Sequence, residues 1–164
     1  MNPIDTLISQ LQQLAENQNL PADFGQFLQY YYEDADIGDL SGYALPQLLA
    51  GALNHYRFAS EPRQPGQARL RCLQQGADAE FAAGSTVIEM VADDMPFLID
   101  STILNINNQD AHLNWIVHPV ITARRDEKGA VKQWLRSKSS DEGKESLIQI
   151  SLQTLPEQQA QALA

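Results

Sequence analysis

Cys72 is the only cysteine in the chain, so no internal disulfide can form. Basic residues are also scarce. Eleven Lys and Arg stand against 21 Asp and Glu, a net charge of −10 over 164 residues. Phosphate backbones and anionic membranes bind to a basic footprint, so both are electrostatically poor partners and neither nucleic acid nor membrane is expected. No apolar run approaches the length of a membrane span. The opening Met1-Asn-Pro-Ile-Asp5 lacks the basic residues and apolar core of a signal peptide. These absences point to a cytoplasmic protein.

The motifs of common catalysts are missing as well. HExxH, CxxC and EF-hand spacings do not occur. Neither a GxSxG elbow, a GxGxxG loop nor a P-loop can be found. His112 and His118 share a face of one expected strand, but six residues at about 3.3 Å each separate them by roughly 20 Å. One zinc ion, with ligands about 2 Å away, cannot reach both. The expected metal set is therefore none.

What the chain does have is enough apolar residue, 43%, to build a core. The acid excess lies at the front: residues 1–62 hold eight acids and the single base Arg57. This part reads as helices. Asn2-Pro3 supplies a cap and a first-turn proline before Ile4, Leu7, Ile8, Leu11 and Leu14, spaced at three and four. A second helix begins near Pro21–Asp23 with Phe24, Phe27, Leu28 and Tyr31 on one side, and a third near Pro46 carries Leu48, Leu49, Ala52, Leu53 and Tyr56. Tyr30–Tyr32 reads as packing with hydroxyls at the rim, or as a stacking platform for a ligand.

Glu61-Pro-Arg-Gln-Pro-Gly66 breaks the pattern, since two prolines and a glycine cannot continue a helix. The expected division is therefore an acidic helical segment, 1–62, and an α/β domain, 66–164. After the break the period becomes strand-like at Arg69–Leu73, Thr86–Val91, His112–Ala123, Val131–Leu135 and Leu147–Leu152. Residues 137–145 read as an exposed loop. Cys72 alternates with Arg69 and Arg71, which suits a buried thiol on a strand or, failing that, a reactive one. Thr154-Leu-Pro-Glu157 announces a helix with only seven residues left before Ala164. The expectation is an α/β domain interrupted inside a helix, with a ragged tail as the alternative.

The most informative stretch is Ala92-Asp-Asp-Met-Pro-Phe-Leu-Ile-Asp-Ser101. An apolar strand stops at two acids, Pro96 follows, and apolar residues resume at helical spacing to about Gln109. Pro96 suits a first helical turn, and Asp94 suits a cap for the N–H groups behind it or a holder for a ligand amine. Asp93 and Asp94 are sequence neighbours whose side chains diverge, unlike a proton-sharing dyad. Asp100 reads as a solvated or interface residue. His118, ahead of Pro119, reads as orienting a strand bulge or as an interface residue.

The run Val91-Ala-Asp-Asp-Met-Pro-Phe-Leu-Ile-Asp-Ser101, followed by Ile116-Val-His-Pro-Val120, resembles the N-terminal region of the large bacterial NAD-specific glutamate dehydrogenases. Tyr56-Arg-Phe-Ala59, Pro65-Gly-Gln-Ala-Arg69 and Glu145-Ser-Leu-Ile-Gln-Ile150 fit the same region. The resemblance runs from about Leu40 onward, and the first 35 residues carry no such mark. It implies an ACT-like, ferredoxin-like βαβ sheet behind a small helical segment, α+β in class. It further implies a regulatory or assembly role in an enzyme that oxidatively deaminates glutamate with NAD. The catalytic core and its NAD would lie beyond this region, which would itself carry no cofactor and no dehydrogenase activity.

Implied partners are other domains or subunits of that enzyme and a small amino acid. Asp93, Asp94, Met95 and Pro96 become the candidate ligand-facing residues, with Phe97 and His118 as structural or interface candidates. Ligand-binding ACT domains commonly carry Asp-x-Pro-Gly at this turn, and here Phe97 stands in the glycine position, crowding the turn or filling the pocket with its ring. The rival readings are a pure interaction module without a small ligand and a stand-alone enzyme using Asp93, Asp94 and His118.

Overall fold

The computed structural model of the chain describes residues 2–73, 85–108, 113–137 and 143–153. Four helices lead: α1 (Pro3–Asn17), α2 (Ala22–Tyr32), α3 (Ile37–Leu40) and α4 (Leu45–Ser60). Strands β1 (Arg69–Leu73) and β2 (Ser85–Asp93), helix α5 (Leu98–Asn108), and strands β3 (Leu113–Val117), β4 (Val120–Arg125), β5 (Val131–Arg136) and β6 (Lys144–Gln153) follow. His112 and the helix expected from Thr154 lie outside the described residues, as does most of the loop expected at 137–145.

The helix starts follow from local chemistry. Asn2 Oδ1 accepts the N–H groups of Ile4 at 2.7 Å and Asp5 at 3.3 Å, and Pro3 occupies the first turn of α1. At α4, Pro46 sits in the first turn and the Gln47 side chain reaches back to the Ala44 N–H at 3.1 Å. The short α3 has no counterpart in the apolar periodicity; Asp36 caps it through the Gly38 N–H at 2.8 Å.

The sheet is antiparallel throughout, in the order β1-β2-β6-β4-β5, with β3 also paired to β6. β3 lies opposite residues 149–152 of β6 and β4 opposite residues 144–146. The expected single strand is thus broken at His118–Pro119. Proline has no N–H to give the ladder, but the Pro119 carbonyl still accepts the Leu147 N–H at 3.0 Å. Since β2 and β3–β4 both run antiparallel to β6, they run parallel to each other, with β6 between them and α5 joining them. This is the split βαβ arrangement, and the class is α+β.

Helices α1–α4 cover one face of the sheet. Phe24, Phe27, Leu28 and Tyr31 share a single cluster with Val91, Trp115, Ile121, Trp134 and Leu147. Each large side chain buried this way contributes about 1.5–3 kcal/mol relative to exposure. The residues before and after the Glu61–Gly66 break therefore share a core. On the opposite face, Ile88, Ile148, Ile150 and Leu152 pack under Ile106 of α5. Burial on both faces explains why β2 reads as a continuous apolar run rather than an alternation.

The tyrosines correct the sequence reading. Tyr31 and Tyr32 are buried and their hydroxyls are bonded within the protein: Tyr31 bonds His55 Nδ1 at 2.8 Å, and Tyr32 donates to the Leu48 carbonyl at 2.8 Å. Cys72 is half-buried, and burial pushes its thiol pKa up.

Candidate functional site

The β2–α5 turn is the expected site, and its details differ from the sequence reading. α5 begins at Leu98, so Pro96 precedes the helix rather than forming its first turn. Asp94 is not seen as a helix cap. Its Oδ1 accepts the Ser146 hydroxyl at 2.8 Å, and its N–H donates to the Lys144 carbonyl at 3.0 Å, which ties the turn to β6. Phe97 neither crowds a buried turn nor fills a pocket; it is 76% exposed and adopts φ +64°. The left-handed region costs a residue with a Cβ about 1–2 kcal/mol, so the turn carries a glycine conformation without a glycine.

Asp93 and Asp94 line a cleft of about 580 Å³ together with Arg63, Arg125, Asp126, Lys144 and Glu145. Its floor is an ion-pair network at the ends of β2, β4 and β6. Arg125 donates from Nε to Glu145 Oε2 and from Nη2 to Oε1, both at 2.8 Å. Its remaining donors reach the carbonyls of Ala59, Glu61 and Gly129 at 2.7–3.0 Å. All five N–H donors of this guanidinium are thereby engaged.

Arg63 is 3% exposed. Its Nη2 donates to Asp93 Oδ1 at 2.7 Å and lies 3.1 Å from Glu145 Oε2. Nη1 donates to the carbonyls of Gln64 at 3.3 Å and Gln67 at 2.7 Å. Its buried Nε has no partner among the described residues.

The network fastens the break between helices and sheet onto the strand ends. Asp93 Oδ2 accepts the Gly66 N–H at 2.6 Å, and the Arg63 N–H donates to the Gly129 carbonyl at 3.1 Å. Burial pushes the Asp93 carboxyl up, but the hydrogen bonds from Arg63 and Gly66 and the charges of Arg63 and Arg125 outweigh it and hold it below its ordinary value. Asp126 Oδ1 accepts the N–H groups of Lys128 and Ala130 at 2.9 and 3.0 Å, chiefly the latter holding its pKa low.

Arg125 is saturated and the printed donors of Arg63 are spent on protein oxygens, while the carboxylates of Asp93, Asp94 and Asp126 line the cleft. Such a site matches a cationic end, an ammonium or guanidinium, better than a carboxylate. Met95 and Pro96 are exposed on the turn but do not line the cleft.

His118 lies elsewhere. It is exposed beside the β3–β4 break and lines a separate cleft of about 360 Å³ with Tyr31, Asp34, Asp36 and Asp39. The structure does not bring it into one cleft with Asp93 and Asp94. Among the described residues, no group of three or more His, Cys, Asp or Glu could hold a metal ion, and no helix is long and apolar enough to cross a membrane.

Sequence reasoning missed Arg63, Arg125, Lys144 and Glu145. Two of them had a readable signal, an arginine within a Pro/Gly break and a glutamate opening an apolar strand. It also missed a polar layer beneath α4. Fully buried Glu89 accepts from Arg71 Nε at 2.7 Å and Gln149 Nε2 at 2.8 Å, while Gln149 also donates to the Gly51 carbonyl at 2.9 Å.

A family model described as glutamate dehydrogenase, ACT1 domain, matches residues 27–164. The NAD-specific glutamate dehydrogenase of Halomonas elongata is 25% identical over 134 residues, 80% of this chain and 8% of the relative. The chain thus spans under a tenth of the length of that relative. No solved structure matches it.

Proposed function

Since this chain belongs to the glutamate dehydrogenase ACT1 family, we propose that it is a non-catalytic regulatory and assembly region of a large NAD-specific glutamate dehydrogenase. It works by sensing an amino acid in the cleft beside Asp93 and Asp94. The oxidoreductase chemistry and the NAD belong to parts of the polypeptide outside these residues. The observation that carries the reading is the family match together with a charged cleft at the β2–α5 turn, the turn that the resemblance marks.

In this reading the ligand takes one orientation. The ligand ammonium lies against the outer oxygens of Asp94 and Asp93, and its carboxylate is directed toward Lys144, which lines the same cleft. A volume of about 580 Å³ accommodates one amino acid and its water.

Calorimetric titration with a panel of amino acids, run on the wild type and on Asp94→Ala, tests this. Saturable heat abolished by the substitution supports sensing at the cleft. Silence across the panel favours the rival reading of an interaction module without a small ligand, which the exposed Phe97 in the glycine position already supports.

A further inference from the structure

We propose that the β2–α5 turn and the outer face of α5 dock another domain of the same longer polypeptide, one presenting an apolar patch bordered by lysines or arginines. This deepens the assembly half of the proposed function and rests on it. Phe97 is 76% exposed, Leu104 61% and Met95 50%. Leu70, Met90 and Leu98 line a groove of about 210 Å³ between α5 and the first two strands. Phe97 is the telling residue. Its backbone is held in the left-handed region while its ring lies in water, and neither feature stabilises this chain by itself. Both become useful once a partner covers the ring.

Charge selects the partner. From Ser85 to Ala111 the sequence has no Lys, Arg or His, but has Glu89, Asp93, Asp94, Asp100 and Asp110. Asp94 and Asp100 are exposed beside the patch. The arginines nearest Leu70 are turned to the other face of the sheet, where Arg69 and Arg71 lie over the Phe58 ring at 4.8 and 4.3 Å. A second copy docked isologously would set these acids against themselves. A basic-rimmed surface meets them favourably, and the net charge of −10 steers it in.

An independent complex buries about 800 Å² per partner. A tethered domain needs far less, because its effective concentration is high. The match covers 8% of its relative, which leaves ample polypeptide to supply such a domain.

The test uses the full-length glutamate dehydrogenase that carries this region. A carbodiimide joins carboxylates directly to lysines in contact with them, and mass spectrometry locates the links. Links from Asp94 or Asp100 to lysines beyond residue 164 are expected, together with slow oxidation of Met95. Phe97→Asp should lower the yield about tenfold, and Leu104→Lys should do the same. Links between two copies of residues 1–164, identified by mixing isotope-labelled and unlabelled protein, would overturn the proposal in favour of self-pairing. So would Met95 oxidising as fast as free methionine with no link formed. Effector response, read on the same variants, separates the two failures: response retained without docking sinks only this inference.

Discussion

Arg125 holds Glu145 through two hydrogen bonds of 2.8 Å, and Glu145 is 2% exposed. Arg63 closes on the same carboxylate from the other side at 3.1 Å. One buried charge thus joins β4, β6 and the Pro/Gly break. Glu145→Gln leaves the Arg125 guanidinium without its counter-charge, while Arg63 keeps Asp93, and should destabilise the fold by about 3–5 kcal/mol. Urea unfolding measures this, and a midpoint equal to that of the wild type would refute the role given to the pair.

Gly129 meets the backbone of Arg63 at closest range. A Cβ there would stand 2.4 Å from the Arg63 carbonyl oxygen, and its φ is +85°. Gly129→Ala must therefore push the 126–130 turn away from the break. The expected cost exceeds about 2 kcal/mol, combining left-handed strain with the clash. Thermal unfolding checks it; a shift of under a degree would mean the turn is not seated on Arg63.

His55 couples stability to pH. Its Nδ1 accepts from the Tyr31 hydroxyl at 2.8 Å, which leaves Nε2–H to donate to the Met90 carbonyl at 3.1 Å. Burial pulls its pKa below the ordinary 6.5; Glu89 and the Met90 carbonyl push back, and Arg71 adds to the lowering. A depressed folded value means that the unfolded chain takes up the proton first. Stability is then full above pH 6.5 and falls as pH drops toward the folded value. Replacing His55 by Phe should flatten that fall, compared by urea midpoints at about pH 7.5 and 5.5. An unchanged slope would assign the acid loss to other groups.

Phe97→Gly separates folding from function at the turn. Glycine relieves the left-handed strain, worth about 1–2 kcal/mol, at an entropic cost of about 0.5–1. The chain should unfold at the same or a slightly higher temperature while its contact with the rest of the enzyme weakens. A clear loss of stability would show that the exposed ring packs within this chain after all.

Much of this architecture is legible in the sequence because apolar spacing reports burial directly. Ile4, Ile8 and Leu11, or Ile148, Ile150 and Leu152, follow one face each. α3 escaped because four residues make no period, and the β3–β4 break showed only as His118-Pro119 inside an apolar run. At the site, Asp93 and Asp94 were readable because they end a strand. Arg63 and Glu145 left local marks, but their partnership with Asp93 and Arg125 was not readable, because it depends on residues 20 or more positions apart meeting through strand register. Periodicity carries no such long-range information. The turn itself misled. Pro96 fits a first helical turn locally, but the helix starts after Phe97, whose positive φ no residue-type rule anticipates.

The most direct measurement is steady-state kinetics of the full-length enzyme with glutamate and NAD, comparing wild type and Asp94→Ala across added amino acids. A regulatory region requires unchanged kcat without effector and a response to effector that is lost in the variant. A fall in kcat of about a hundredfold or more, the usual loss when a general acid or base is removed, would contradict it and make Asp94 part of the chemistry.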